Sequence, residues 1–165
     1  MNEQLIAGLK NALNNLNDEH AVQDATLNQL LVEQTGAWAV GLWKIDGENL
    51  KQVICAFAEG FSKQVADEFQ SGTVEVSLSQ TQLGIVNAIV NNRPALARAT
   101  EQQGDLRKSA GWLERFDARC SLSCPIYNSN GTPQAVLAVS WAELYEESDS
   151  VPQNLLAIAK QVGQA

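Results

Sequence analysis

The spacing of apolar residues changes several times along the chain, and each change marks a predicted structural element. Apolar residues recur three or four positions apart, which is helical spacing, over 3–17 and again over 22–35. Two almost continuous apolar runs follow at 37–45 and 50–58, and the Asp-Gly pair at 46–47 is a strong turn signal. The beginning of the chain therefore predicts two helices followed by an antiparallel pair of strands.

Helix and strand patterns continue to alternate through the rest of the chain. Val74 and Val76 alternate with polar neighbours, which is typical of a half-exposed edge strand. The helix predicted over 82–91 is apolar on most sides, so we expect it to be buried. The remaining predicted elements are helices at 62–70, 105–116 and 151–163, and short strands at 73–78 and 94–98.

We expect the segment 119–142 to form the centre of the fold. Its two predicted strands, 119–127 and 133–142, flank a polar turn that contains glycine. Because side chains alternate across a strand, the first strand has two distinct sides. One carries Cys120, Leu122, Cys124 and Ile126, and the other carries Ser121, Ser123 and Tyr127. This segregation predicts that one side faces a core and that the hydroxyl-bearing side lines a small cavity.

The order of elements, α-α-β-β-α-β-α-β-α-β-β-α, predicts an α+β fold. Strand pairs joined by tight turns indicate a central antiparallel six-stranded sheet, with helices on both faces. We assign residues 22–165 to this domain and residues 1–21 to an N-terminal helix. That helix has two interpretations: it packs on the sheet, or it extends away and pairs with a second subunit.

Composition and charge exclude several classes of function. The chain has 165 residues, of which 45% are hydrophobic, and a formal net charge of −8 at pH 7. This acidity argues against a nucleic-acid partner, because phosphate binding depends on clustered Lys and Arg. No apolar run approaches the ~20 residues that span a bilayer, so we expect no membrane partner. Three cysteines without a signal peptide indicate a cytoplasmic protein.

The sequence contains no recognisable catalytic or metal-binding motif. His20 is the only histidine, and neither a GxSxG nor a P-loop motif is present. Cys55, Cys120 and Cys124 lack metal-ligand spacing and are interpreted as small buried hydrophobic residues. We therefore expect the protein not to be an enzyme. The sequence identifies no cofactor.

Four motifs in the right order resemble a known family. They are Gly-Ile-Val at 84–86, Asn-Asn-Arg-Pro at 91–94, Arg-Cys-Ser-Leu-Ser-Cys-Pro-Ile at 119–126, and Asn-Gly at 130–131 followed by Val-Leu-Ala-Val at 136–139. Together they resemble a GAF domain, the small-molecule sensor module of signalling proteins. The resemblance covers about residues 22–163. It implies terminal helices on one side of the sheet and, on the other, a ligand pocket beneath the 79–117 segment.

The sequence also departs from the ligand-binding branches of that family. A bilin-binding Cys-His pair is absent because His20 lies between the first two helices. The pocket segments lack the cysteines of the free methionine sulfoxide reductases that share this fold. Only Tyr145 and Asp149 approximate the cyclic-nucleotide signature. These departures argue against a bilin, a sulfoxide substrate and a cyclic nucleotide, and they leave the ligand unidentified.

Candidate ligand-binding residues come from three groups. Trp112 would cover the pocket by resemblance, and the serines would form its floor. The arginines between 93 and 119 either form an anion-recognising rim or are a solvated face paired with acidic residues. Trp38 and Trp43 are predicted on opposite faces of one strand. The predicted ligand-binding residues are Leu83, Val86, Arg98, Trp112, Arg115, Phe116, Ser121, Ser123 and Ser140.

The sequence thus predicts a sensory or regulatory domain that binds a small molecule and signals through its terminal helices. We expect a homodimer formed through the N- and C-terminal helices. One alternative is a degenerate domain used only for dimerisation or protein interaction, its pocket closed by Trp112, Phe116 and Trp141. The other alternative is an enzyme similar to the free methionine sulfoxide reductases.

Overall fold

A computed structural model describes residues 3–14 and 24–163, and the elements alternate as the sequence predicts. The helices are α1 (Glu3–Asn14), α2 (Ala25–Thr35), α3 (Lys63–Gly72), α4 (Gly84–Asn91), α5 (Arg107–Arg115) and α6 (Ser150–Gly163). The strands are β1 (Ala39–Asp46), β2 (Asn49–Phe57), β3 (Glu75–Ser77), β4 (Ala95–Arg98), β5 (Cys120–Tyr127) and β6 (Pro133–Trp141). The predictions for residues 15–23, which include His20 and the start of the helix predicted over 22–35, lie outside the described residues.

All six strands form one antiparallel sheet in the order β3-β2-β1-β6-β5-β4. The predicted α+β class and the central six-stranded sheet are therefore confirmed. The predicted edge strand is also at an edge, although it is shorter than expected. It shortens because the chain leaves α3 only at Thr73, whose backbone N–H donates to the carbonyl oxygens of Phe69 and Gln70.

Local capping fixes both ends of α2. The Oδ1 atom of Asp24 accepts hydrogen bonds from the backbone N–H groups of Thr26 and Leu27, at 3.0 and 3.1 Å. Gly36 ends the helix in the left-handed conformation, with φ +67°, which is a conformation that favours glycine. The chain then turns directly into β1.

Three helices, α1, α2 and α6, cover one face of the sheet, and we call them the terminal-helix layer. The apolar stripe of α1 contributes to this layer, because Leu5, Leu9 and Leu13 are buried within the same chain. The sheet contributes large side chains that include Leu122, Leu137 and Trp141. The described part of α1 thus packs on its own domain. Dimerisation through the terminal helices stays a prediction.

The other three helices, α3, α4 and α5, cover the opposite face, and we call them the middle-helix layer. Helix α4 is buried on most sides, as predicted, and it packs against Trp43, Leu50 and Val136 of the sheet. Helix α3 differs from it, since none of its residues is buried. The middle-helix layer is therefore anchored chiefly at α4.

The prediction that Trp38 and Trp43 lie on opposite faces is wrong. The indole N–H of Trp43 donates to the carbonyl oxygen of Thr73, and that of Trp38 donates to the carbonyl oxygen of Phe116, both at 2.7 Å. Both rings therefore point toward the middle-helix layer. Strict alternation does not apply because Trp38 precedes β1, where the regular pleat begins.

Candidate ligand-binding site

The centre of the sheet carries two consecutive rows of small side chains under the middle-helix layer. Strand register aligns them across four neighbouring strands, so both rows face the same side. One row is Ala39, Ser140, Ser121 and Ala97, and the next is Gly41, Ala138, Ser123 and Ala95. Because these side chains are short, α4 and α5 cannot fill the space above them completely.

A cavity of about 60 Å³ lies above these rows. Its floor is formed by residues of β1, β5 and β6, and its walls and roof include Phe69, Leu83, Ile85, Ser109 and Trp112. Ala138 and Ser140 are only partly buried although β6 is a central strand of the sheet. One water molecule needs ~10–15 Å³ of such space, so the cavity has room for several waters. It is smaller than the ~150 Å³ cavity that accommodates benzene.

An aromatic cluster forms the roof of the cavity and extends beyond it. The rings of Trp112 and Phe116 stack at a centroid distance of 5.0 Å, and Phe69 meets both edge-on, at 5.8 and 5.1 Å. Phe61 continues the cluster toward Trp38, at 5.0 Å. Phe69 and Trp112 are half-buried, so the roof is reached by solvent.

Two buried serines of the floor have hydroxyls that bond to no other group in the described part of the protein. Ser121 is 8% exposed and Ser123 is 2% exposed. Within residues 3–14 and 24–163, neither hydroxyl makes a hydrogen bond, nor does that of Ser140. Every fully buried polar side-chain atom of the described residues has a hydrogen-bond partner, so these unbonded hydroxyl oxygens border the open space of the cavity. The floor therefore offers hydrogen-bonding groups to whatever occupies the cavity.

Helix α4 begins at the edge of this floor, and a glycine makes the approach possible. A Cβ atom on Gly84 would lie 3.0 Å from the Oγ of Ser123 and 3.4 Å from that of Ser109. The backbone N–H of Gly84 donates to the Oγ of Ser109 at 2.6 Å, which ties α4 to α5. The start of the predicted Gly-Ile-Val motif is thus located where helix, floor and roof meet.

Five of the nine predicted ligand-binding residues line the cavity together, and four lie elsewhere. Val86 is fully buried inside the middle-helix layer, and Phe116 lies behind Trp112 in the aromatic cluster. Arg98 and Arg115 are not among the residues that line the cavity. The five lining residues are Leu83, Trp112, Ser121, Ser123 and Ser140.

Two of the five arginines of the predicted anion rim are engaged by acidic side chains. Arg98 forms ion pairs with Glu146 at 2.6 Å and Glu101 at 3.3 Å, and Arg115 pairs with Glu68 on α3. No charged side chain of the described residues lines the cavity. This arrangement agrees with the alternative of a solvated, paired face, and the arginines as ligand-binding residues stay a prediction.

The three cysteine thiols are free and buried, and burial raises the pKa of each. The pKa of Cys55 rises to about 12, and that of Cys124 also rises strongly. The backbone N–H of Tyr145 donates to the Sγ of Cys120 at 3.4 Å, which partly offsets the effect of burial there. All three thiols are therefore protonated at neutral pH. Among the described residues, no cluster of metal-binding side chains occurs.

Several residues of the cavity were not predicted from the sequence, although one pattern could have revealed three of them. Ala39 and Gly41 of β1 and Ala138 of β6 alternate with large apolar residues, as the serines of β5 do. Alternation of small and large residues on neighbouring strands signals a depression in one face of a sheet. Phe69 and Ser109 carry no such signal, since only tertiary packing brings them to the cavity.

The arrangement is that of an α+β domain with a cavity between its sheet and one helical layer. No protein-family model matches the sequence, and no curated protein matches it either. Solved structures do match, and they define the fold of this chain as a GAF fold. The GAF resemblance noted in the sequence is thus confirmed at the level of structure.

Three of these structures illustrate the range of proteins that share the fold. The phycocyanobilin-bound GAF domain of a cyanobacterial phytochrome has a TM-score of 0.63 and 10% identity, covering 99% of this chain and 92% of that one. A methyl-accepting chemotaxis protein has a TM-score of 0.62 and 14% identity, and the match covers 97% of this chain and 93% of that one. The type II free methionine-R-sulfoxide reductase of Thermoplasma acidophilum has a TM-score of 0.59 and 14% identity, and the match covers 99% of this chain and 93% of that one. At such identities the likeness establishes the fold alone.

Over the parts of the chain that the structure describes, no helix is both long and apolar enough to cross a membrane.

Proposed function

We propose that this protein is a sensory domain that binds a small molecule between the sheet and the middle-helix layer. The observation that carries the proposal is the cavity above the centre of the sheet, which is lined by Ser121 and Ser123 with hydroxyls that bond to no other described group of the protein. Helices packed on both faces normally seal a central strand, yet Ala138 and Ser140 stay partly exposed. The fold is shared with a phytochrome GAF domain and a chemotaxis protein, which supports a sensory role.

We further propose that occupancy is transmitted to the terminal-helix layer. Strand β6 supports this step because Ala138 and Ser140 face the cavity while Leu137, Val139 and Trp141 face the terminal helices. A ligand signals only if it binds two arrangements of the domain with different affinity. A homodimer in the cytoplasm, formed through α1 and α6, would give those helices a second partner to respond to.

Catalysis has no part in this proposal. A thiol acts as a nucleophile only as the thiolate, and burial keeps all three thiols protonated at neutral pH. Cys120 and Cys124 also face the terminal-helix layer, away from the cavity. The sulfoxide reductase of the same fold therefore offers a weaker precedent than the sensory proteins.

Filling the cavity provides the test. Native mass spectrometry of freshly purified protein should detect one retained small molecule per chain in the wild type, and none in Ala138→Leu. Ala142→Leu, on an exposed residue just beyond β6, is the matched control and should retain the molecule. Hydrogen exchange of α1 and α6 should differ between Ala138→Leu and the control.

The interaction-only alternative predicts the opposite result. The wild type would carry no small molecule, and both variants would show the same exchange in α1 and α6. That outcome would remove the sensory proposal and favour a domain used for dimerisation or protein contact.

A further inference from the structure

From the chemistry of the cavity we infer that its ligand is a small, uncharged aromatic molecule that hydrogen-bonds to Ser121 and Ser123. This inference rests on the proposed function and specifies the class of ligand. It departs from the anionic ligand that the arginines between 93 and 119 suggested. Three features of the cavity lead to it: its charge, its roof and its floor.

The absence of charge excludes an ionic ligand from the cavity. The cavity is lined by apolar, aromatic and hydroxyl side chains, and none of the described residues there is charged. Arg98 and Arg115, the two arginines predicted to bind a ligand, form ion pairs with Glu146 and Glu68. Moving a carboxylate or an ammonium group into such a space removes its hydration without a counter-charge, which is strongly unfavourable.

The roof favours a flat ring. Phe69 and Trp112 meet edge-on at a centroid distance of 5.8 Å, and Trp43 lies against the floor beside them. Aromatic side chains attract further rings through offset-stacked and edge-to-face contacts. The floor beneath is made of Ala, Gly and Ser, so it presents an even, shallow surface against which a ring can lie.

The floor specifies the polar part of the ligand. The hydroxyls of Ser121 and Ser123 each have one proton to donate and lone pairs to accept, and both are unpartnered among the described residues. A single hydroxyl or carbonyl group on the ligand would satisfy one or both of them. An apolar ring of the same size would leave them unsatisfied.

A ring needs more room than the structure provides, and the roof is the part that can yield. The cavity of about 60 Å³ is below the ~150 Å³ that holds benzene. Helix α3, which carries Phe69, has no buried residue, and Trp112 is half-buried. The floor, in contrast, is fixed by the sheet. Binding should therefore displace Phe69 and Trp112 outward.

Three probes of similar shape test the class of ligand: phenol, toluene and benzoate, titrated into the ¹⁵N-labelled full chain at pH 7. Phenol should bind most tightly and shift the backbone amides around Ser123 and Ala138. Toluene should bind more weakly at the same amides. Benzoate should give no saturable shift there, because its carboxylate lacks a counter-charge.

Removing one hydroxyl tests the polar contact. Ser123→Ala should weaken phenol binding roughly 3- to 10-fold, the range for one net hydrogen bond, and leave toluene binding unchanged. Ser121→Ala serves as a second variant if Ser123→Ala does not fold. Ser79→Ala is the control, since that exposed serine bonds to Ser77 away from the cavity and should change neither affinity.

Several outcomes would overturn the inference. Benzoate binding as tightly as phenol would show that the cavity accepts anions. Equal binding of phenol and toluene, unaffected by Ser123→Ala, would show that the serines take no part. Failure of all three probes would also reject the ligand class. If native mass spectrometry still finds a retained molecule, the sensory proposal stands and only its chemistry is wrong; without one, both fail.

Discussion

The two faces of the same sheet solve the problem of packing in different ways. Against the terminal-helix layer the sheet presents large side chains such as Leu122, Leu137 and Trp141, each fully buried. Against the middle-helix layer the centre of the sheet presents Ala, Gly and Ser, and larger side chains such as Trp43 and Val136 occur only beyond these rows. The difference shows that one face is built for stability, since buried apolar area dominates the folding free energy. The other face buries less apolar side-chain area at its centre and leaves a cavity there.

A matched pair of tryptophans gives the largest expected contrast between the faces. Trp141→Ala should lower the free energy of unfolding by about 3–5 kcal/mol, since its ring is fully buried and its indole N–H donates to the carbonyl oxygen of Thr35. Trp112→Ala should cost only about 1–2 kcal/mol because its ring is half-buried. Urea unfolding of both variants measures the difference. Equal losses would contradict the distinction between the faces.

Gly41→Ala tests the floor of the cavity directly. A Cβ atom at this position would lie 2.3 Å from the ring of Trp43, so the indole would have to move. That movement strains its hydrogen bond to the carbonyl oxygen of Thr73. We expect a loss of about 1–3 kcal/mol in thermal or urea unfolding. Gly111→Ala, at an exposed position with no atom within 4 Å, is the control and should lose nothing.

The pH dependence of stability should report the buried thiol of Cys55. Its pKa is raised by burial to about 12 in the folded protein, whereas the unfolded chain ionises near the ordinary value of 9.0. Above pH 9 the unfolded state therefore binds fewer protons than the folded state, and stability falls as pH rises. The contribution of Cys55 approaches about 1.4 kcal/mol per pH unit.

The comparison with Cys55→Ala isolates this contribution, because all other titrations are common to both proteins. Unfolding free energies measured between pH 8 and 10.5 should converge for the wild type and the variant as pH increases. Parallel curves would mean that Cys55 ionises equally in both states.

The smallest effect is expected at the rim. Arg115→Ala breaks the ion pair with Glu68 that joins α5 to α3, yet both side chains are largely exposed, at 59% and 41%. Exposed ion pairs contribute about 0–1 kcal/mol, so stability should change by less than 1 kcal/mol. Phenol affinity should be unchanged, since Arg115 does not line the cavity. A large loss of phenol affinity would show that Arg115 contributes to ligand binding.

Much of this fold could be predicted from the sequence because its signals are local. The helical spacing of Leu5, Leu9 and Leu13, the Asp-Gly turn at 46–47 and the alternation of Cys120 to Ile126 each act over a few neighbouring residues. The site was less predictable. Ser121 and Ser123 were predicted to line a cavity because small hydroxyl side chains alternate with apolar ones along their own strand. Phe69 could not be predicted in this way, since only tertiary packing brings it to the cavity.

The arginines show why charge is harder to interpret from sequence than hydrophobic pattern. Arg98 and Arg115 stand out in an acidic chain, and their position between predicted pocket segments suggested anion binding. Glu101 pairs with Arg98 from three residues away, but Glu146 and Glu68 lie 48 and 47 residues from their arginines, so no local signal announces those two pairings. A similar limit applies to Trp38, whose orientation depends on where the pleat of β1 begins.

Strand β6 belongs to both faces at once, and this has a mechanical consequence. Ser140 touches the cavity, while its direct chain neighbours Val139 and Trp141 are wedged among the terminal helices. A ligand that displaces Ser140 would therefore move Val139 and Trp141 as well, because each is joined to Ser140 by one peptide bond. No intermediate side chain is needed. The backbone of β6 is thus the most direct connection between the two faces of the sheet.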